Sequence, residues 1–249
     1  MKVRMYNVGF GDCFCLRDRK KSLLVDFGTN NSRIEGRPRR EIFDVIISDL
    51  STIKSKNLLL THFHMDHLSG LLYMMKKKDI SVDFGKIYLP DVFSKKEMSR
   101  TLVLLLLADL LKESGLPSRQ VSLFALVDAL LENKQNVELL SRGKLFENKY
   151  QALWPDTDVI RKETDEVYNR ICEDGKFKEV MDVLLEFAEK LRLIVWSMTA
   201  EGNKPAETVE KETDSTASEL TEQPEVRQKI IRAYVYCLLY TSPSPRDRT

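Results

Sequence analysis

All three histidines of this 249-residue chain lie within six positions, and this cluster constrains the chain more than any other feature. They are His62, His64 and His67, and Asp66 stands between the last two. Imidazole nitrogens and carboxylate oxygens together suit zinc, and also iron or manganese. A rare residue type that clusters around an acid therefore predicts a metal site, in preference to loop histidines without a ligand.

The segments on either side of the cluster predict where it lies. Residues 57–60 form a short apolar run, which is typical of a buried strand, and a helix can begin near Leu68. The cluster is thus predicted to occupy the loop between the carboxyl end of a strand and the start of a helix. Open α/β sheets bind ligands at that edge.

The spacing within the cluster suggests two cations. In extended backbone, residues two apart point to the same side, so His62 and His64 can present their rings to one cation. Asp66 and His67 follow as the chain turns into the helix and could serve a second cation. A catalytic metal of this kind keeps one position open for water and lowers the pKa of that water.

Three stretches, in the expected order, resemble the metallo-β-lactamase fold superfamily. Residues 61–70, Thr-His-Phe-His-Met-Asp-His-Leu-Ser-Gly, resemble its His-x-His-x-Asp-His signature. Residues 7–16, Asn-Val-Gly-Phe-Gly-Asp-Cys-Phe-Cys-Leu, resemble the opening of members related to ComEC-type competence proteins. Residues 23–29 resemble the strand that ends in Asp-x-Gly. The resemblance covers roughly the first 90 residues.

This resemblance implies an α/β fold of the metallo-β-lactamase type, an αββα sandwich, with residues 1–93 as its N-terminal half. It implies two zinc ions, with manganese or iron as alternatives. The implied metal ligands are His62, His64, Asp66 and His67. Asp66 would also act catalytically as a proton acceptor, and Asp26 would hold a metal-binding histidine in orientation. From the sequence alone, Asp26 could instead cap a turn.

A complete dinuclear site in this superfamily draws on later residues, usually further histidines and a bridging aspartate. This chain has no histidine after His67. We therefore expect weak metal binding and little or no turnover, and equilibrium dialysis showing two tightly bound zinc equivalents would contradict this. Residues 241–249 resemble translated adapter sequence, so we also expect a non-native tail on a C-terminally truncated chain.

The remaining chain is predicted to divide into segments of different character. Residues 150–155, Tyr-Gln-Ala-Leu-Trp-Pro, resemble a strand end found in some of the ComEC-like relatives, or are an ordinary buried aromatic before a turn. The other predicted segments are a mostly helical insertion over 94–199 with a short strand pair near 144–154, a disordered linker over 200–225, and a strand over 226–240.

Composition limits the partners and the compartment. The 39 basic and 38 acidic residues give a net charge of +1, which offers no global attraction to nucleic acid or anionic membranes. The four cysteines form no Cys-x-x-Cys pair, which favours reduced thiols. The apolar run at 102–111 is too short to cross a membrane. We expect a soluble cytoplasmic protein without a membrane partner.

Three functions are compatible with these features. The leading hypothesis is a metal-dependent hydrolase, in which a metal-activated water attacks an ester, phosphodiester or amide of a small molecule or nucleic acid. The ComEC-like opening favours a phosphodiester by analogy. The alternative is a non-catalytic module that binds a protein partner through its helical insertion and retains a remnant metal loop. A flavo-diiron-type oxidoreductase ranks lower because no flavin domain is indicated.

Overall fold

The computed structural model describes residues 1–18, 21–77, 83–112, 123–173 and 175–202. The predicted strand over 226–240, the predicted tail over 241–249, Cys237 and nearly all of the predicted linker lie outside these residues. Within them, the mixed α/β class is confirmed. The strands are β1 (Lys2–Met5), β2 (Phe14–Asp18), β3 (Lys21–Val25), β4 (Arg33–Ile34), β5 (Arg37–Pro38), β6 (Ser55–Leu59), β7 (Ile87–Pro90), β8 (Val137–Leu140), β9 (Leu145–Phe146) and β10 (Tyr150–Gln151).

The described helices pack against a sheet of six strands. They are α1 (Arg39–Ser51), α2 (Met65–Met75), α3 (Ser99–Lys112), α4 (Leu123–Glu132), α5 (Thr157–Cys172) and α6 (Gly175–Ser197), with one 3₁₀ turn (Lys96–Met98) before α3. The strand order in the sheet is β1-β2-β3-β6-β7-β8. β1, β2 and β3 pair antiparallel, whereas β3, β6, β7 and β8 run parallel. Parallel neighbours need crossover connections, and helices supply them here.

The register of β3 against β6 brings distant residues together at one edge of the sheet. Val25 pairs with Leu59, at the carboxyl ends of these two parallel strands. The backbone N–H of Asp26 continues the ladder by donating to the Leu59 carbonyl at 2.8 Å. The residues that follow β3 therefore meet the residues that follow β6.

The helices pack on one face of the sheet and form the larger core. α1 buries residues that recur at helical spacing, and α2 buries Leu68, Leu71 and Leu72. The buried residues of α1 are Ile42, Phe43, Ile46, Ile47 and Leu50. The aromatic rings of Phe27 and Phe43 lie 5.2 Å apart in this core, which joins α1 to the segment after β3. Residues 60–67, called the metal loop below, and the rest of α2 are thus anchored by apolar packing.

The opposite face of the sheet carries a smaller apolar cluster. Its buried members are Leu23, Tyr88, Leu140, Phe146 and Ala152. β9 and β10 pair antiparallel, within the range where the sequence predicted a strand pair, and Phe146 of β9 lies 5.1 Å from the Tyr88 ring. This hairpin covers the β7–β8 end of that face.

Sequence reasoning missed β8, which lies inside the range 94–199 yet pairs with β7 in the central sheet. The strand has four residues and follows closely on α4, so its apolar run was too short to distinguish from helix by periodicity. The connection from β7 to β8 contains α3 and α4. The small β4–β5 hairpin was also missed.

Among the described helices, none combines the length and the apolar character that crossing a bilayer requires.

Cys13 and Cys15 are free and buried, and Cys172 is free and half-buried. Burial raises the pKa of the Cys13 thiol well above its ordinary value.

Candidate metal centre

The histidine cluster spans the loop after β6 and the first turn of α2, because this helix begins three residues earlier than the position near Leu68 that the sequence indicated. α2 begins at Met65, with His64 in extended conformation as the residue before its first turn. Asp66 lies in that first turn, and the His67 N–H donates to the His64 carbonyl at 3.0 Å. The start of the helix thus turns Asp66 and His67 back towards the strand end that carries His62.

Three of the four predicted ligands form one group. Single ligand atoms of His62, Asp66 and His67 all lie within 4.8 Å of one another. His67 is buried, and the other two are half-buried. The His64 ring lies 4.7 Å from the His62 ring, edge towards face, so the fourth predicted ligand borders this group. Two imidazoles and a carboxylate form a donor set that suits zinc, iron or manganese.

Asp26 connects this group to the end of β3. Its side chain is nearly inaccessible, with 3% of the residue exposed. Its carboxylate accepts the Thr61 N–H at 2.8 Å, the Thr61 hydroxyl at 2.7 Å and the His67 Nδ1 at 3.0 Å. Because every bond comes from the metal loop, this carboxylate is well placed to fix the loop and the His67 ring.

These hydrogen bonds determine which nitrogens are available. His67 Nδ1 donates to Asp26, so in the neutral ring Nε2, 3.7 Å from an Asp66 carboxylate oxygen, keeps its lone pair. The Thr61 hydroxyl gives its one hydrogen to Asp26, so it accepts from His62 Nδ1 at 2.9 Å. His62 Nε2 therefore also keeps its lone pair, and one aspartate prepares both imidazoles to bind a cation.

The electrostatics of the group favour positive charge at His67. Burial lowers the pKa of His67, but the hydrogen bond to Asp26 and the charges of Asp26, Asp66 and Asp12 outweigh burial and raise that pKa. For His62, burial and then repulsion from His67 and His64 lower the pKa. Since the carboxylates of Asp12, Asp26 and Asp66 lie close to His67, the inner histidine of the group, a cation bound at His67 would be near compensating negative charge.

Close backbone contact holds the loop after β3 against the metal loop. The Phe27 N–H donates to the His67 carbonyl at 2.7 Å, and the Asp12 N–H donates to the Asp66 carbonyl at 3.2 Å. A Cβ on Gly28 would lie 2.6 Å from the Leu68 nitrogen, and one on Gly11 would lie 2.3 Å from the Gly28 carbonyl oxygen. Only glycine permits this approach at either position.

Two residues near the group had no role in the sequence-based account. Asp12 places a carboxylate oxygen 3.6 Å from His67 Nδ1, and Thr61 joins Asp26 to His62. Both belong to stretches that carried the resemblance. Their role depends on contacts between residues far apart in sequence, which motif spacing alone does not supply.

Comparison with known proteins agrees with this site. Residues 6–91 match the family model of the metallo-beta-lactamase superfamily, and this range contains every residue of the group and Asp26. The similarity to this superfamily is confined to that part of the chain. The chain also resembles the endoribonuclease YSH1 of Mycosarcoma maydis, with 32% identity over 77 residues. That alignment covers 31% of this chain and 8% of the relative. No solved structure matches the chain.

Proposed function

We propose that this chain carries the metal-binding part of a metal-dependent hydrolase that acts on an ester or a phosphodiester. One observation carries the proposal: ligand atoms of His62, Asp66 and His67 lie within 4.8 Å of one another, and Asp26 orients the inner histidine. This pairing of a metal-binding imidazole with a buried carboxylate is the usual support for such ligands.

The donor residues suggest how the metal would be held. His62 and His64 would bind one cation, and Asp66 and His67 a second, with zinc as the first choice and manganese or iron as alternatives. When bound, the metal would supply an activated water and positive charge close to the reacting centre. The half-buried Asp66, at the start of α2, would bind metal and accept a proton.

The remaining residues position these groups. Asp26 and Thr61 keep both Nδ1 atoms occupied, so that Nε2 is the nitrogen of His62 and of His67 that would bind a metal. Gly28, which follows β3, and Gly11, which precedes β2, allow the backbone of two loops to brace the loop that carries the ligands. These contacts would limit movement of the ligands during the reaction.

A phosphodiester substrate is favoured by similarity. The relative that matches is named an endoribonuclease, a class of enzyme that cleaves phosphodiesters. The net charge of +1 adds no general attraction to a polyanion, so the choice rests on that relative and on the ComEC-like opening.

Hydrolysis of bis-p-nitrophenyl phosphate tests the proposal. We expect slow cleavage that requires added zinc or manganese and is lost in the Asp66→Asn variant. The matched control is Asp91→Asn, since Asp91 is a buried aspartate whose carboxylate bonds only to Ser94 among the contacts described. Cleavage that persists in Asp66→Asn would refute the mechanism. Metal binding with no cleavage would favour the non-catalytic partner-binding module.

A further inference from the structure

A cavity of about 330 Å³ lies beside the metal loop, at the carboxyl ends of three parallel strands. Its volume is within the range of small-molecule pockets. The strand ends contribute Leu59, Leu60, Thr61, Pro90 and Leu140, and the β9–β10 region contributes Phe146, Gln151, Ala152, Leu153 and Trp154. The cavity therefore lies between the sheet and the hairpin, next to the ligand-bearing loop.

Thr61 belongs to both the cavity and the candidate metal centre. It lines the cavity, donates its hydroxyl hydrogen to Asp26 and accepts from His62. A group in the cavity would thus contact Thr61, which precedes His62, a candidate metal ligand. This position suits the part of a substrate that is attached to the bond being cleaved.

The outer wall of the cavity is held in place by backbone hydrogen bonds. The Gly143 N–H donates to the Ala152 carbonyl at 2.8 Å, and the Ala152 N–H donates to the Lys144 carbonyl at 2.9 Å. The Phe146 ring packs 5.5 Å from Tyr150. The cavity is therefore formed before any ligand binds, which reduces the entropic cost of binding.

The lining specifies the chemistry of the ligand. No residue of the lining carries a charge, and its polar side-chain groups are the Thr61 hydroxyl, the Gln151 amide and the indole N–H of Trp154. Trp154 is 57% exposed and Leu153 is 80% exposed, although both are large apolar residues. Exposed aromatic side chains that border a pocket are suited to stacking on planar rings. Gln151 is exposed, and its amide nitrogen donates to the Gly143 carbonyl at 3.3 Å, so its amide oxygen is oriented to accept from a polar ring atom.

We propose that this cavity is the subsite for an uncharged planar ring of the substrate, such as a nucleobase, with Trp154 as its stacking surface. This inference rests on the proposed function, since it assigns the substrate of that site as a phosphoester that carries a ring. It also gives residues 150–155 a binding role in addition to their place in the fold.

Fluorescence of Trp154 tests the inference without requiring turnover. The chain has two tryptophans, so the Trp196→Phe variant leaves Trp154 as the only one. We expect adenosine to quench this emission saturably in the metal-free protein, and cyclohexanol at equal concentration to leave it unchanged. Absence of saturable quenching by adenosine, or equal quenching by cyclohexanol, would overturn the assignment.

Two variants separate binding in the cavity from binding elsewhere on the hairpin. Measured by calorimetry in the otherwise natural chain, Trp154→Ala should weaken adenosine binding about 10-fold. Leu145→Ala is the matched control, because Leu145 is 69% exposed on the same hairpin and does not line the cavity. Equal weakening by both changes, or by neither, would contradict a subsite at Trp154.

A third titration distinguishes failure of this inference from failure of the proposed function. Zinc should tighten the binding of adenosine 5′-monophosphate and leave that of adenosine unchanged, because only the monophosphate reaches the metal. If adenosine binds and zinc has no effect on the monophosphate, the cavity assignment stands and the link to the metal centre is wrong. If zinc tightens the monophosphate and adenosine does not bind, the cavity assignment is wrong.

Discussion

Two buried aspartates follow strands of the same sheet, and their neighbours show how different their roles are. Asp26 follows β3 and accepts hydrogen bonds from Thr61 and His67, 35 and 41 positions away. Asp91 follows β7 and accepts the N–H and hydroxyl of Ser94, three positions away. Asp91 closes a local turn, whereas Asp26 joins two loops and orients a candidate metal ligand. Burial of an aspartate at a strand end is therefore no sign of function by itself.

The largest effect is expected where the Asp26 loop touches the metal loop. Gly28→Ala places a Cβ 2.6 Å from the Leu68 nitrogen and 2.7 Å from the Asp66 carbonyl, and backbone atoms cannot move aside cheaply. We expect a loss of about 3 kcal/mol in the free energy of unfolding, measured by urea denaturation.

Gly175→Ala is the control for this change, since a Cβ at that position meets no atom within 4 Å. It should leave the free energy of unfolding within about 0.5 kcal/mol of the natural chain. Equal stability of the two variants would show that the loops do not depend on their close contact.

A smaller effect is expected at Asp49 of α1, an acid whose partners are arginines and a tyrosine. Its carboxylate accepts from the Tyr6 hydroxyl and pairs with Arg4 and Arg17, each at 2.8 Å. Burial raises the pKa of Asp49, but the Tyr6 hydrogen bond and both arginines outweigh burial and lower it. Asp49→Asn should cost about 1 kcal/mol at pH 7, with no change in zinc affinity.

The sign of the pH dependence at Asp49 follows from the lowered pKa. The charged carboxylate stabilises the fold fully above its ordinary pKa of 3.8, and this contribution is lost as the pH falls through the lowered folded value. The stability difference between the natural chain and Asp49→Asn should therefore shrink below about pH 4, in urea unfolding curves. A difference that grows in acid would contradict the ion-pair assignment. Asp44→Asn, on the same helix, removes a half-buried carboxylate that pairs with Lys77 and accepts from the Tyr73 hydroxyl, and it should cost less than Asp49→Asn because Asp44 faces one cation instead of two.

The smallest effect is expected at Thr61, which acts through its neighbours. Thr61→Val removes the hydroxyl that joins Asp26 to His62 and keeps the volume. We expect zinc affinity to fall about fivefold, because one hydrogen bond that fixes the His62 ring is lost. Thr61→Ser should restore the affinity. Failure of serine to do so would indicate that the methyl group, not the hydroxyl, matters.

Much of the metal loop could be predicted from the sequence because its residues are close together in the chain. The positions of His62, Asp66 and His67 relative to β6 and α2 follow from a local apolar run and a local helix start. The position of such a motif can be predicted from the segments next to it in the sequence.

The rest of the site depends on contacts that the sequence pattern does not show. The Asp26 bonds to Thr61 and His67 require the parallel register in which Val25 meets Leu59. The contact of Gly28 with Leu68 requires the same register. β8 was missed for a related reason, since four residues become a strand here by pairing with β7. The periodicity of apolar residues describes one segment at a time and cannot predict which strands pair.

Zinc titration against a chromogenic chelator tests the central claim, that Asp26 prepares a metal site at His62, Asp66 and His67. Asp26→Asn should weaken zinc binding about 10- to 100-fold, as expected when a carboxylate that supports a metal-binding imidazole is lost. His67→Ala should weaken it at least as much, whereas Asp91→Asn should leave it unchanged. Equal zinc affinity in Asp26→Asn and Asp91→Asn, or binding that survives His67→Ala, would contradict the account.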